Sequence, residues 1–163
     1  MDKFKQYGIL SEKGRKYENI IYVMAMIYSM LEREIDAYFQ KHNFTMPKFN
    51  ILMVVAFQNE GAGMKQVEIG RHLITTAGNV TKLIESLYKD KLVTRIQNKN
   101  NRRENIVKIT PQGKAFIDKL WPEYDKLLRK RTDLISGANQ EKMSDILKNW
   151  FFDLETVYTK EQK

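Results

Sequence analysis

The sequence predicts a mainly helical fold with one small β-hairpin: two short helices joined by a tight turn, then the hairpin, with long helices on either side. Three observations predict it. Apolar residues recur at three- and four-residue steps over residues 13–42, 112–136 and 139–159. Only three prolines and eight glycines punctuate the chain, so helices run long and strands are few. Two β-prone segments, Val93–Gln97 and Asn105–Thr110, flank one polar loop, Asn98-Lys-Asn-Asn-Arg-Arg-Glu104.

The first long helix is expected from about Lys13 to His42, a rod of roughly 45 Å. Its stripe comprises Tyr17, Ile20, Ile21, Met24, Ile27, Tyr28, Leu31, Ile35, Tyr38 and Phe39, widened by Val23, Met26 and Met30. So broad an apolar surface needs more than its own domain to cover it, which points to a dimer interface. Asn43 ends that helix. Thr45 caps a second one, with Pro47 near its first turn, where a missing N–H costs nothing. Phe49, Leu52, Met53, Val55 and Ala56 supply its buried face, and Gly61-Ala-Gly63 breaks it.

Met64–Leu73 is expected to be the first helix of the turn motif, with Val67, Ile69 and Leu73 toward the core. Gly70 lies inside it, where glycine costs about 1 kcal/mol against alanine. A residue that small admits close approach by the following helix. Thr75 or Thr76 is placed as the cap of that next helix, which runs to about Lys89 with Val80, Leu83, Ile84 and Leu87 inward. Its outer face presents Thr76, Ala77, Gly78, Asn79, Thr81 and Lys82. After the hairpin, Pro111 and Gly113 lead into a helix marked by Phe116, Ile117, Leu120, Trp121, Tyr124, Leu127 and Leu128. Gly137 separates it from a last helix marked by Met143, Ile146, Leu147, Trp150, Phe151, Leu154 and Val157.

The charge is uneven. Residues 61–113 hold ten Lys or Arg against four acids, six of the eight net positive charges of the chain. A polyanion is therefore expected to meet this third of the molecule. A helix entering a major groove about 12 Å wide needs small side chains at its N-terminal end and donors that reach base edges. Gly78, Asn79, Thr81 and Lys82 satisfy that description, and Asn79 has the amide that pairs bidentately with adenine. Arg95 and the loop residues Lys99, Arg102 and Arg103 place cations on the hairpin. Arginine at a hairpin tip suits a narrow minor groove, where the negative potential is deepest.

Other classes are disfavoured. The apolar and charged fractions, 42% and 29%, are ordinary for a soluble domain. No apolar run approaches the length of a membrane span, and the start Met-Asp-Lys-Phe-Lys-Gln-Tyr-Gly lacks a signal-peptide core. A cytoplasmic protein without a membrane partner is expected. Without cysteine there is no disulfide or thiolate metal site. Catalysis is not expected: there is no Gly-rich phosphate loop, no nucleophile elbow and no His/Cys/acid cluster, and His42 and His72 are the only histidines. No cofactor or metal is expected.

From about Phe49 to Phe116 the chain resembles the winged-helix core of the multiple-antibiotic-resistance regulator (MarR) family, and its length and helical flanks match as well. The matching pieces are Met64-Lys-Gln-Val-Glu-Ile-Gly, Gly78-Asn-Val-Thr-Lys-Leu-Ile-Glu-Ser-Leu87, Lys91-Leu-Val93, Asn101-Arg-Arg103 and Ile109-Thr-Pro-Gln-Gly113. The resemblance implies a winged helix-turn-helix core, 46–113, between dimerisation helices over 1–45 and 114–163, the three parts not independent of one another. It implies a homodimeric transcriptional regulator, usually a repressor, on a pseudo-palindromic operator. The helix from Thr76 then enters the major groove, Arg103 is the wing-tip arginine and Arg102 its backbone-contacting neighbour. Two positions depart from the family pattern. Asn101 stands where an Asp usually orients the wing by an ion pair. Lys65 replaces a usual Ser or Thr cap, so that Lys65 or Gln66 becomes a phosphate contact. Family members often bind small aromatic or anionic effectors, for which Tyr28, Tyr38, His42, Phe49 and Trp121 are the candidate residues here; the same aromatics also suit an ordinary core. Two other readings compete: a winged-helix module that binds protein, and a non-specific DNA-binding protein.

Overall fold

A computed structural model describes residues 3–8, 15–58, 62–73, 77–97 and 105–161. A short 3-10 helix over Lys3–Tyr7 precedes α1, Lys16–Gln40, which is about 37 Å long at 1.5 Å per residue. Only its C-terminal part is buried, at Ile35, Tyr38 and Phe39. Asn43 takes φ 53°, a left-handed conformation that Asn tolerates. The N–H of Phe44 then reaches back to the Phe39 carbonyl and that of Asn43 to Gln40, which satisfies the last turn of the helix. Thr45 caps α2, Met46–Phe57, as its sequence predicts. Its hydroxyl accepts from the Lys48 N–H at 3.4 Å, and Pro47 occupies the first turn. Phe49, Ile51, Leu52 and Val55 are its buried residues. Ile51 thus joins the expected face, while Met53 and Ala56 are half-buried.

The expected helix over Met64–Leu73 is corrected at its start. Met64–Lys65 is a strand, β1, and the helix α3 is only Gln66–Arg71. Among the described residues the strands form one antiparallel sheet, ordered β1-β3-β2, with β2 at Val93–Gln97 and β3 at Asn105–Ile109. Met64 pairs with Val107 and Lys65 with Ile106. Gly63 makes this possible: its φ is +100°, and a Cβ there would lie 2.8 Å from Ile106 Cγ2 and 2.9 Å from the Val107 carbonyl. Val67 is corrected too. It is 70% exposed while Ile69 is fully buried, because two residues of helix rotate by about 200° and both cannot face one core. The stripe of α4, Ala77–Lys89, behaves as expected, with Val80, Ile84 and Leu87 buried and Leu83 half-buried.

One junction ties α4, the sheet and the next helix together. At the end of α4, Lys91 adopts φ 59°, and the N–H groups of Lys91 and Leu92 return to the carbonyls of Tyr88 and Leu87. Leu92 also accepts the Thr110 N–H at 3.1 Å. The Thr110 hydroxyl donates toward Lys91 O at 2.8 Å and Leu92 O at 3.1 Å, and accepts the N–H of Gly113 at 2.9 Å. Thr110 is therefore the N-cap of α5, Pro111–Thr132, and a strap onto the start of β2 at once. Gly113 packs its Cα on the Leu92 carbonyl so closely that no Cβ fits.

The chain divides into two units, 1–119 and 120–163, the division falling within α5. In the second unit Leu120 and Tyr124 are buried, and burial raises the pKa of the Tyr124 phenol. Gly137 opens α6, Gly137–Glu161, rather than separating the helices; the break is Asp133–Ser136. Gln140 closes it by donating to the carbonyls of Thr132 and Ile135. Along α6, Met143, Ile146, Leu147, Phe151, Leu154 and Val157 are all exposed.

The junction carries a stability prediction. Thr110→Ala removes the cap and the strap and lowers stability by about 1–2 kcal/mol, whereas Thr110→Ser retains most of it. Urea midpoints of the two variants at equal protein concentration check this; equal midpoints would remove Thr110 from the role.

Candidate nucleic-acid interface

Three attachments present the outer face of α4. Its buried stripe packs on α2, α3 and β2. Near its start, Gln66 at the beginning of α3 donates its side-chain amide to the Thr81 hydroxyl at 2.7 Å. Just beyond its end, Lys48 of α2 reaches Asp90 at 3.2 Å while lying over the Phe44 ring at 5.4 Å. Lys48 is the more buried partner of that pair, so its alkyl stem packs while its ammonium meets the carboxylate. The helix is thus fixed at both ends by polar contacts and between them by the core.

The residues of the face fall where the sequence places them. Gly78, Asn79, Thr81 and Lys82 are all exposed. Thr81 and Lys82 follow one another around the outside, and Asn79 lies at the N-terminal end. Ala77 is the first residue of α4; its side chain, Thr75 and Thr76 lie outside the described residues. Lys65 is the N-cap of α3 with no side-chain cap bond, since an ammonium cannot accept one. Glu68 supplies half of the reciprocal arrangement, accepting the Lys65 N–H at 3.2 Å. Gln66 is engaged across the turn by Thr81. On the hairpin, Arg95 turns its guanidinium onto the Tyr88 ring, 5.6 Å from ring centre to guanidinium carbon. Asn98 to Glu104 lie outside the described residues, and with them Asn101, Lys99, Arg102 and Arg103.

The candidate effector residues of the first unit lie along α1, in the turn that follows it and at the start of α2. Tyr38 and His42 meet edge to face at 5.0 Å, and Phe39 joins Tyr38 to Phe49 at 5.2 and 5.0 Å. Tyr38 and Phe49 are buried there as packed core. Tyr28 lies ten residues up α1, about 15 Å away along the axis. It donates to Glu32 at 3.0 Å, a bond that holds the phenol above its ordinary pKa. Trp121 belongs to the other unit and stacks edge-on with Tyr124. A cavity of about 430 Å³ opens along the middle of α1, lined by Tyr7, Tyr22, Met26, Met30 and Arg33 among others. No periodicity or motif points to it.

The gap between α3 and α4 is wider than the sequence implies. A Cβ on Gly70 would meet Val80 Cγ2 at 3.7 Å, an ordinary contact. Gly70→Ala is therefore expected to raise stability by about 0.5–1 kcal/mol, by restricting the unfolded chain. A thermal melt lowered by the substitution would show that the helices need glycine there.

The MarR family model matches residues 44–105. The chain is similar to the HTH-type transcriptional repressor IacR of Pseudomonas putida, 22% identical over 147 residues, covering 90% of this chain and 86% of that one. Among solved structures it is similar to AbsC, a MarR family transcriptional regulator from Streptomyces coelicolor. The TM-score is 0.78 at 17% identity, over 91% of this chain and 98% of that one. It is also similar to S. aureus MepR in a structure described as a MepR–DNA complex. There the TM-score is 0.71 at 20% identity, over 82% and 96% of the two chains.

Proposed function

We propose that this chain, whose residues 44–105 match the MarR family model, is a homodimeric, sequence-specific DNA-binding transcriptional regulator acting as a repressor. The outer face of α4 carries the proposal. It is small and polar at its N-terminal end, cationic at Lys82, and held at both ends against a rigid core. A helix so built fits a major groove and reads it with few side chains. Asn79, Thr81 and Lys82 are the proposed base and phosphate contacts, with the backbone of Ala77 and Gly78 close to the groove. Thr76 is the proposed cap, and Lys65 and Gln66 flank the phosphates. Lys99, Arg102 and Arg103 form the proposed wing contacts. That a relative is named a transcriptional repressor and a structural neighbour was solved with DNA supports the reading.

Dimerisation is the second half of the proposal. Tyr17, Ile20, Ile21, Met24, Ile27 and Tyr28 of α1 are exposed, as are the apolar residues of α6. Apolar surface on that scale marks an interface. Helices from both ends of the chain, with the DNA-binding region 46–113 between them, are the proposed dimerisation elements. The family pattern adds release by a small aromatic or anionic effector.

The test is affinity for duplex from upstream of the protein's own gene against a shuffled duplex, across a salt series. A large preference for the native sequence is expected. Equal, salt-steep affinity would leave a non-specific DNA binder, and no binding would favour a protein-interaction module. Arg103→Ala is expected to weaken binding by at least about 1 kcal/mol with the fold intact; unchanged affinity would remove the wing tip from the mechanism. Light scattering at micromolar concentration is expected to give about twice the 19.3 kDa chain mass, and a monomer would refute the dimer.

A further inference from the structure

Side chains along β2 alternate between the two faces of the sheet. Val93 and Arg95 share one face, Thr94 and Ile96 the other. The register sets Val93 opposite Ile109, and Arg95 opposite Val107, which in turn pairs with Met64. Val93, Ile109, Val107 and Met64 are all buried, whereas Ile96 is exposed. Arg95 therefore extends from the core-facing side of the hairpin, and an isoleucine occupies the solvent side. This reverses the ordinary distribution of charged and apolar residues. On its face Arg95 lies over Tyr88, within cation–π range. Its Nε and Nη2 are shut from solvent and make no hydrogen bond among the described residues. These two nitrogens form one of the two edges by which a guanidinium grips a phosphate or carboxylate in two-point fashion, and Nη1 alone is left outside it. Closed to water, that edge is equally closed to a phosphate. What Arg95 does contact is a ring on the last turn of α4.

We propose that Arg95 is a positioning residue rather than a DNA contact: stacked on Tyr88, it braces the root of the hairpin against the C-terminal turn of α4 and fixes the angle between recognition helix and wing. The proposal rests on the DNA-binding reading above. The turn at Lys91 between Lys89 and Val93 is held by the returning N–H groups of Lys91 and Leu92 and by the Thr110 hydroxyl, and the ring and guanidinium add a side-chain connection directly between α4 and β2. Its part in recognition is indirect. It sets the direction in which β2 runs from α4 when Asn79 and Lys82 are in the groove.

A double-mutant cycle on the full chain tests this, with the upstream duplex as probe, beside nitrogen–proton spectra of the free protein. Tyr88→Leu and Arg95→Ala are each expected to weaken binding about fivefold, and the double variant no further, because both remove one contact. Tyr88→Phe keeps the ring and is expected to bind within about twofold of wild type. In the free protein the Arg95 Nε–H resonance is expected to be ring-shifted and slow to exchange, and Tyr88→Leu is expected to abolish both signatures. The proposal is overturned if Tyr88→Leu retains full affinity while Arg95→Ala loses it and lowers the salt slope by about 0.9, the mark of one lost phosphate contact. Additive losses, or an unshifted Nε–H, overturn it as well. Wild-type protein that binds no duplex overturns the DNA reading itself; the Nε–H signature, read without DNA, then still decides whether the brace exists.

Discussion

The Thr110 hydroxyl is the constraint on which the arrangement of helix and wing depends. It donates to the chain leaving α4 and accepts from the chain entering α5. The end of α4, the start of β2, the end of β3 and the start of α5 thereby meet at one oxygen. A bond of this kind is worth only about 1 kcal/mol in stability. Its larger consequence is geometric, since a hairpin is marginal alone and this one is anchored at its root. The Gly113 Cα lying against the Leu92 carbonyl completes the fit. The run Ile109-Thr-Pro-Gln-Gly113 thus has a physical reason for each of its special residues: a hydroxyl that caps and straps, a proline that starts a helix, and a position without room for a Cβ.

Around that junction the molecule fixes α4 by contacts of different kinds. Apolar packing along Val80, Ile84 and Leu87 supplies most of the energy. Gln66–Thr81 and Lys48–Asp90 supply direction at the two ends. Partly exposed polar pairs contribute little to stability, so their value lies in holding the helix face at one angle. Rigid presentation of a few side chains is what groove reading requires, because small displacements at the backbone become large ones at the base edges.

Much of this was legible in the sequence because it is local. The apolar stripes of α1 and α4, the Thr45 cap with Pro47, and both hairpin strands follow from spacing and turn chemistry within short windows. The exposure of Gly78, Asn79, Thr81 and Lys82 on α4 was legible for the same reason. What was missed depends on partners far along the chain. Met64 and Lys65 look helical alone, and are a strand only because Val107 and Ile106 lie beside them. Val67 reads as core until the turn of α3 sets it on the side opposite the buried Ile69. Arg95 reads as one of the hairpin cations for DNA, and its alternation with Val93 sets it on the inner face, over Tyr88. Of the aromatics that suit either an effector or an ordinary core, Tyr38 and Phe49 are buried and packed together through Phe39.

The central claim is that two copies of α4 read DNA by sequence, one in each half of a site. Selection of duplexes from a random pool by the wild-type protein tests it most directly. An enriched consensus of two inverted half-sites, with centres about one duplex turn or 10 base pairs apart, is the predicted result. A pool recovered without enrichment, after binding that falls steeply with salt, would contradict it.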